Sequence, residues 1–314
     1  MLSRVADSLY WIGRYSERTE TNAHILSTQL DHMIELSRSD ANYEADWATI
    51  IKICGYFDEY RSKYDGYDLE KMIEYLLCDA ENFNSITSMV ESIRMNARNT
   101  RDILPNVLWE EWNDLYLSIK STKHKDYSII LTNEFLNAIR KSFLTSSGII
   151  DTLMTRDECF IFLKIGKWIE RAEKTAIILN ELLEKEEQLT RDFTATFALQ
   201  LTHAFEEYTR RSRDRSNRKV LNFLISDMKC SRSIAHSIHQ IKQAVIEVEN
   251  GKYQDYSEEM FHALSKLEVS LQVDTALLTA GQIKQWVKDI SKQCTDFGPI
   301  FCRTYYLTPP ILIS

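Results

Sequence analysis

Four glutamates are the residues best placed, by type and spacing, to do chemistry. Glu17 and Glu20 stand three apart in Glu17-Arg18-Thr19-Glu20, and Glu170 and Glu173 stand three apart in Glu170-Arg171-Ala172-Glu173. Three residues is nearly one helical turn, so each pair projects from one flank of a helix. Carboxylates drawn together away from water cannot all ionise easily, and shifted pKa values suit acid and base roles. The competing reading is an internal ion-pair network that fixes helix register, because buried charge must be paired. A ferritin-like di-metal centre would want Glu-x-x-His on each of two helices. The sequence does not carry that pair, and no metal site is expected.

A second constellation is cationic. Arg94, Arg98 and Arg101 are spaced four and three, so a helix would carry them on one face. Three guanidiniums in a row suit a carboxylate or phosphate ligand; the plainer alternative is pairing with the chain's own acids. Weaker signals are His236 and His239 near Cys230, the pair His203 and Glu206, and the basic run from Arg210 to Lys219. None has the ligand spacing of a zinc site. No Gly-rich phosphate loop, Gly-x-Ser-x-Gly elbow or His-Glu-x-x-His motif occurs, and no cofactor is expected.

The elements that must position these residues repeat themselves. Ile12–Leu26 and Ile165–Leu179 lie 153 residues apart (165 − 12) and share eight of fifteen residues, including Gly13/Gly166, Glu17/Glu170, Arg18/Arg171 and Glu20/Glu173. At an offset of 148 (205 − 57), Phe57–Tyr60 matches Phe205–Tyr208, Tyr75–Asp79 matches Phe223–Asp227, and Ser85-Ile86 matches Ser233-Ile234. Three blocks in one order describe a duplicated unit of roughly 150 residues. The arginine stripe is not duplicated: Arg94, Arg98 and Arg101 face Lys242, Ile246 and Glu249 at the same offset. Architecture would be kept in both copies, so a feature of one copy suits function.

With 8 Gly and 4 Pro in 314 residues, three of those prolines being Pro299, Pro309 and Pro310, the chain is nearly free of helix breakers. Periodicity predicts helices over 4–37, 43–63, 68–78, 84–102, 106–121 and 128–147, the last ending near Gly148, with the scheme repeated from about 154. Ser231 or Ser233 would cap a helix in the second copy, and the tail from Tyr305 reads as irregular. The fold expected is an all-α helical bundle of two diverged copies, 1–150 and 151–314, related by a pseudo-twofold within one compact domain. The first helix would bury Leu9, Ile12, Ser16, Thr19, Ala23, Leu26 and Leu30, whose small members let a partner helix approach closely.

A net charge of −8 argues against general nucleic-acid binding. The opening residues do not read as a signal peptide, and no run of about 18 apolar residues predicts a membrane span. The six cysteines form no Cys-x-x-Cys pair, which fits scattered thiols in a reducing cytoplasm. A cytoplasmic location is therefore expected.

The opening Met1–Arg4, Ala6, Tyr10-Trp11, Gly13–Tyr15, Glu17, Arg18 and Glu20 resembles the signature of the alpha-E family of bacterial proteins. Similar segments follow at Asp79, Asn84–Ile86, Asn96–Arg98, Arg101-Asp102, Trp109 or Trp112, Met154, Arg156-Asp157 and Phe162 through Glu173, so the resemblance spans essentially the whole chain. Departures are mild: Thr19 stands where alanine is usual, and Met95 interrupts a segment that is usually Ala-Arg-Glu-Asn-Ala-Arg. The resemblance implies a partner. Members are encoded beside, or fused to, a circularly permuted ATP-grasp protein, and transglutaminase-like proteins are frequent neighbours. The implied role is a component of a peptide or amide ligation system. Three readings stay open: an accessory subunit that binds a substrate or partner, an enzyme in its own right, and a purely structural scaffold. Candidate acid/base groups are Glu17, Glu20, Glu170 and Glu173. Candidate contacts for a peptide, carboxylate or phosphate ligand are Arg4, Tyr10, Arg14, Arg18, Arg94, Arg98, Arg101 and Arg171.

Overall fold

The computed structural model describes residues 3–35, 43–121, 127–184, 192–252 and 254–307. Among these residues every regular element is helical, with no strand. In chain order the helices are α1 (Ser3–Glu35), α2 (Tyr43–Cys54), α3 (Phe57–Lys63), α4 (Leu69–Leu77), α5 (Ile86–Asn99), α6 (Asn106–Ser121) and α7 (Ile129–Leu153). Then come α8 (Glu158–Glu184), α9 (Asp192–Leu201), α10 (Phe205–Arg211), α11 (Asn217–Ser226), α12 (Ile234–Val248), α13 (Glu258–Ser270) and α14 (Ala280–Thr304). No helix among the described residues is long and apolar enough to cross a membrane.

The helices sort into two compact units. The first comprises Met1–Arg14 and Arg156–Ser314, and the second Tyr15–Thr155. In the first, α8 packs on α12 and α14, and α13 packs on α14. In the second, α5 packs on α6 and α6 on α7. The expected stripe of α1 is buried at Leu9, Ile12, Thr19, Ala23, Leu26 and Leu30, with Ser16 part-exposed.

Local chemistry sets the helix ends. Ser85 accepts from the Ser88 amide to cap α5, and Ser233 accepts from the His236 amide to cap α12. Ser231 has no such role at that end. Each capped helix follows a loop held by equivalent contacts. Tyr60 donates its hydroxyl to the Gly66 carbonyl and meets the Tyr75 ring edge-on at 5.2 Å. Tyr208 donates to the Asp214 carbonyl and meets Phe223 edge-on at 5.0 Å. Lys63 pairs with Asp79, and Arg211 with Asp227. In each comparison the two residues stand 148 apart, as Tyr60 and Tyr208 do.

Several expected boundaries move. The helix expected over 43–63 breaks at Gly55 and Tyr56, where Tyr56 adopts extended backbone and α3 starts afresh. The helix expected over 84–102 stops at Asn99, so Arg101 lies in the turn that follows. Gly148 does not end its helix: α7 runs through it to Leu153, a tolerable interior cost of about 1 kcal/mol for glycine. Pro299 sits inside α14. The end of the first expected helix, at 36–37, and the tail beyond Leu307, with Pro309 and Pro310, lie outside the described residues.

Candidate functional site

In the first unit, α1 and α8 cross with their backbones in contact. A Cβ on Gly13 would lie 2.1 Å from the Leu163 carbonyl oxygen, and one on Gly166 would lie 2.1 Å from that of Tyr10. No residue but glycine fits either place without the helices separating. That closeness delivers Arg14 to the flank of α8. Its Nε donates to Glu170 Oε2 at 2.6 Å, its Nη2 to Glu173 Oε2 at 2.6 Å, and its Nη1 to the Tyr10 hydroxyl oxygen at 3.1 Å. Gly298 of α14 leaves room for the guanidinium, since a Cβ there would stand 2.9 Å from Nη1.

The cluster is deeply enclosed: Glu170 is 2% exposed and Arg14 is 5% exposed. Burial alone would favour a neutral Arg14, but Glu170, Tyr10 and Glu173 more than offset it and hold its pKa well above the usual range. Burial likewise raises the Tyr10 hydroxyl, against the lowering effect of Arg14. A buried guanidinium that holds two carboxylates of a neighbouring helix clasps the two helices together.

The arginine of each Glu-Arg pair reaches a loop ahead of a capped helix. In the second unit Arg18 Nη1 donates to Asn84 Oδ1 at 2.9 Å, and the Asn84 amide donates to Asn82 Oδ1. In the first, Arg171 Nη1 donates to the Ser231 carbonyl at 3.3 Å, and its guanidinium lies 4.8 Å from the Trp168 ring centroid. Glu17 and Glu20 are buried in the second unit, and neither lacks a partner. Arg4 is exposed at the start of α1.

Arg94 and Arg98 of α5, and Arg101 just after it, have a different setting. Arg94 donates from Nε to Asn113 Oδ1 at 2.9 Å, with its guanidinium carbon 4.6 Å from the Tyr116 centroid and 5.7 Å from that of Trp109. Arg101 lies 5.2 Å from the same Trp109 ring, and Lys120 Nζ lies 5.6 Å from Tyr116. Arg98 and Arg101 are exposed; Arg94, Trp109 and Tyr116 are part-exposed. Among the described residues no carboxylate pairs with Arg94, Arg98 or Arg101, whereas Lys120 has Glu91 at 3.7 Å. The rings were the missed part of this face, although Trp109, Asn113 and Tyr116 recur at helical spacing on α6.

Some residues of the weaker signals have partners within the chain. The His236 ring contacts the Met228 carbonyl at 3.0 Å through Nδ1 and packs edge-on to Trp168. In the basic run Arg211 pairs with Glu207 and Asp227, Lys219 with Asp214, and Arg218 donates to the Thr275 and Leu278 carbonyls.

Comparison with known proteins adds relatives but little chemistry. Over 184 residues the chain is 26% identical to the uncharacterized protein Mb2597 of Mycobacterium bovis, and equally to the uncharacterized proteins MT2643 and Rv2567 of Mycobacterium tuberculosis. The match takes in 54% of this chain and 21% of each of those proteins, so it spans about a fifth of their length. No solved structure matches the chain. The family model Alpha-E, described as a predicted alpha-helical domain with a conserved ER motif, matches residues 1–306. With that match over nearly its whole length, and with Glu-Arg pairs at Glu17-Arg18 and Glu170-Arg171, the chain belongs to the Alpha-E family.

Proposed function

We propose that this protein is an accessory subunit that binds a partner or substrate in an ATP-grasp-linked peptide ligation system of the cytoplasm. The observation that carries the reading is the division of its arginines. Arg14, Arg18 and Arg171 are engaged by groups of the chain itself, while Arg94, Arg98 and Arg101 meet no carboxylate among the described residues. The pairing of buried Glu170 and part-exposed Glu173 with Arg14 favours a structural clasp over acid/base catalysis. The match to a fifth of much longer mycobacterial proteins supports a module that works next to other domains. Six free thiols support a reducing compartment. The test is affinity purification of the tagged protein from its native host with quantitative mass spectrometry. Recovery of a circularly permuted ATP-grasp protein in near-stoichiometric amount is expected. A protein that purifies without one would overturn the reading.

We also infer that the chain is an internal duplication. Support comes from the recurrence at 148 residues of the Tyr60 and Tyr208 contacts, the Lys63–Asp79 and Arg211–Asp227 pairs, and the Ser85 and Ser233 caps. The glycine crossing adds to it. Gly13 faces Leu163 as Gly166 faces Tyr10, and both Gly13/Gly166 and Tyr10/Leu163 are 153 apart. That reciprocity is what a pseudo-twofold at the crossing would produce.

A further inference from the structure

We propose that the surface formed by Arg94 and Arg98 of α5 and Arg101 of the turn after it docks an acidic peptide segment, gripped through side-chain carboxylates and steadied by the rings of Trp109 and Tyr116. The inference rests on the binding-subunit reading and narrows it to a class of ligand. A guanidinium held over a ring keeps its N–H edge available to an acceptor in the ring plane, and the planar fork fits a carboxylate bidentately. Trp109 is shared by Arg94 and Arg101, and Tyr116 by Arg94 and Lys120, so cations and rings alternate along one surface. Trp109, Tyr116 and Asn113 restrain Arg94, and Trp109 restrains Arg101, without neutralising them.

The molecule holds its own control. The residue 148 positions after Arg94 is Lys242, which pairs with Glu268 at 2.7 Å. The residue 148 after Arg101 is Glu249, a buried acid that accepts hydroxyls from Tyr256 and Tyr305. One half of the chain satisfies these positions internally, and the other leaves cations facing outward.

The extent of the face selects the ligand. Arg94 and Arg98 stand about 6 Å apart along α5 at ~1.5 Å per residue, with Arg101 in the turn beyond them, a longer row than one phosphate group occupies. Carboxylates on an extended segment, rising ~3.3 Å per residue, match such a row. Met95, exposed one turn from Arg98, adds an apolar contact that an inorganic anion would not use.

The probe is a fluorescein-labelled, amidated Glu-Glu-Phe-Glu-Glu peptide titrated with the full chain and read by anisotropy. Saturable binding that weakens from 0.05 to 0.5 M salt (about a threefold shorter screening length) is expected. The R98Q/R101Q double variant should lose at least about tenfold in affinity, since charge-assisted bonds are lost, while folding normally because both side chains are exposed. Lys242→Gln should bind as wild type does. Absence of saturable binding, equal binding by the double variant, or complete displacement of the peptide by an equal concentration of inorganic phosphate would each overturn the inference. A null titration beside successful recovery of the ATP-grasp protein sinks this inference alone. A positive titration without that protein supports it and sinks the partner assignment.

Discussion

Replacing Arg14 with methionine keeps an unbranched stem at the α1–α8 crossing and removes the charge. Glu170, with a side chain 3% exposed, then loses its Nε donor at 2.6 Å, and Glu173 loses Nη2. The Tyr10 hydroxyl loses Nη1. Removing one partner of a buried ion pair in this way costs about 3–5 kcal/mol, or roughly 6–20 °C in melting temperature for a cooperative unit of 150–250 residues. The loss should depend on pH. The guanidinium pairs with Glu170 and Glu173 as carboxylates, so protonating them removes what it contributes. That contribution is present above the ordinary carboxyl range and fades as pH falls through it. The deficit of the variant should therefore be small near pH 4 and largest near pH 8, and adding Glu170→Gln should recover part of it. Urea unfolding followed by circular dichroism at both pH values measures this. A deficit under about 1 kcal/mol at pH 8, or one that does not change with pH, would refute the buried-clasp reasoning.

Other expectations follow from the same geometry. Gly166→Ala should cost at least about 2 kcal/mol by overpacking against the Tyr10 carbonyl, whereas Gly148→Ala, with open space around it inside α7, should stabilise by about 0.5–1 kcal/mol. Thermal melts giving the opposite order would contradict the crossing. The hydrogen bond from Lys219 holds the Asp214 carboxyl down at about 2; its contribution is present above the ordinary carboxyl range and fades as pH falls toward that value. An NMR titration should place its midpoint there and return it toward the ordinary value in Lys219→Ala; an ordinary midpoint in the wild type would count against the pair. Burial pushes the Cys230 thiol up to about 11, so iodoacetamide at pH 8 should modify part-exposed Cys159 well before it. Equal rates at the two cysteines would argue against that burial.

Much of the architecture was legible because it depends on local pattern. The lack of Gly and Pro led to helices, and the α1 stripe from Leu9 to Leu30 is buried as its spacing required. The pairing of Glu170 and Glu173 with an arginine from a neighbouring helix was one of two arrangements their spacing allowed. What could not be read was long-range. Arg14 is an ordinary flank residue until the glycines bring α1 against α8, 156 positions away from Glu170. Arg18 and Arg171 looked like ligand contacts because nothing local marks the Asn84 side chain or the Ser231 carbonyl as their acceptors. Arg101 was assigned to a helix that ends two residues earlier, yet it keeps its place beside Arg94 because both reach Trp109. The break at Gly55 was missed for the opposite reason: the apolar period continues across it, and only the extended backbone of Tyr56 separates α2 from α3.

The central claim is that the protein serves a ligase rather than acting as one. Its most direct test is reconstitution of the co-purified ATP-grasp protein with and without this chain, measuring ATP-dependent amide formation by mass spectrometry. The account predicts that this chain alone forms no product, that the pair does, and that R98Q/R101Q lowers the yield while Glu173→Gln leaves it largely intact. Product formed by this chain alone, or a partner equally active without it, would contradict the account.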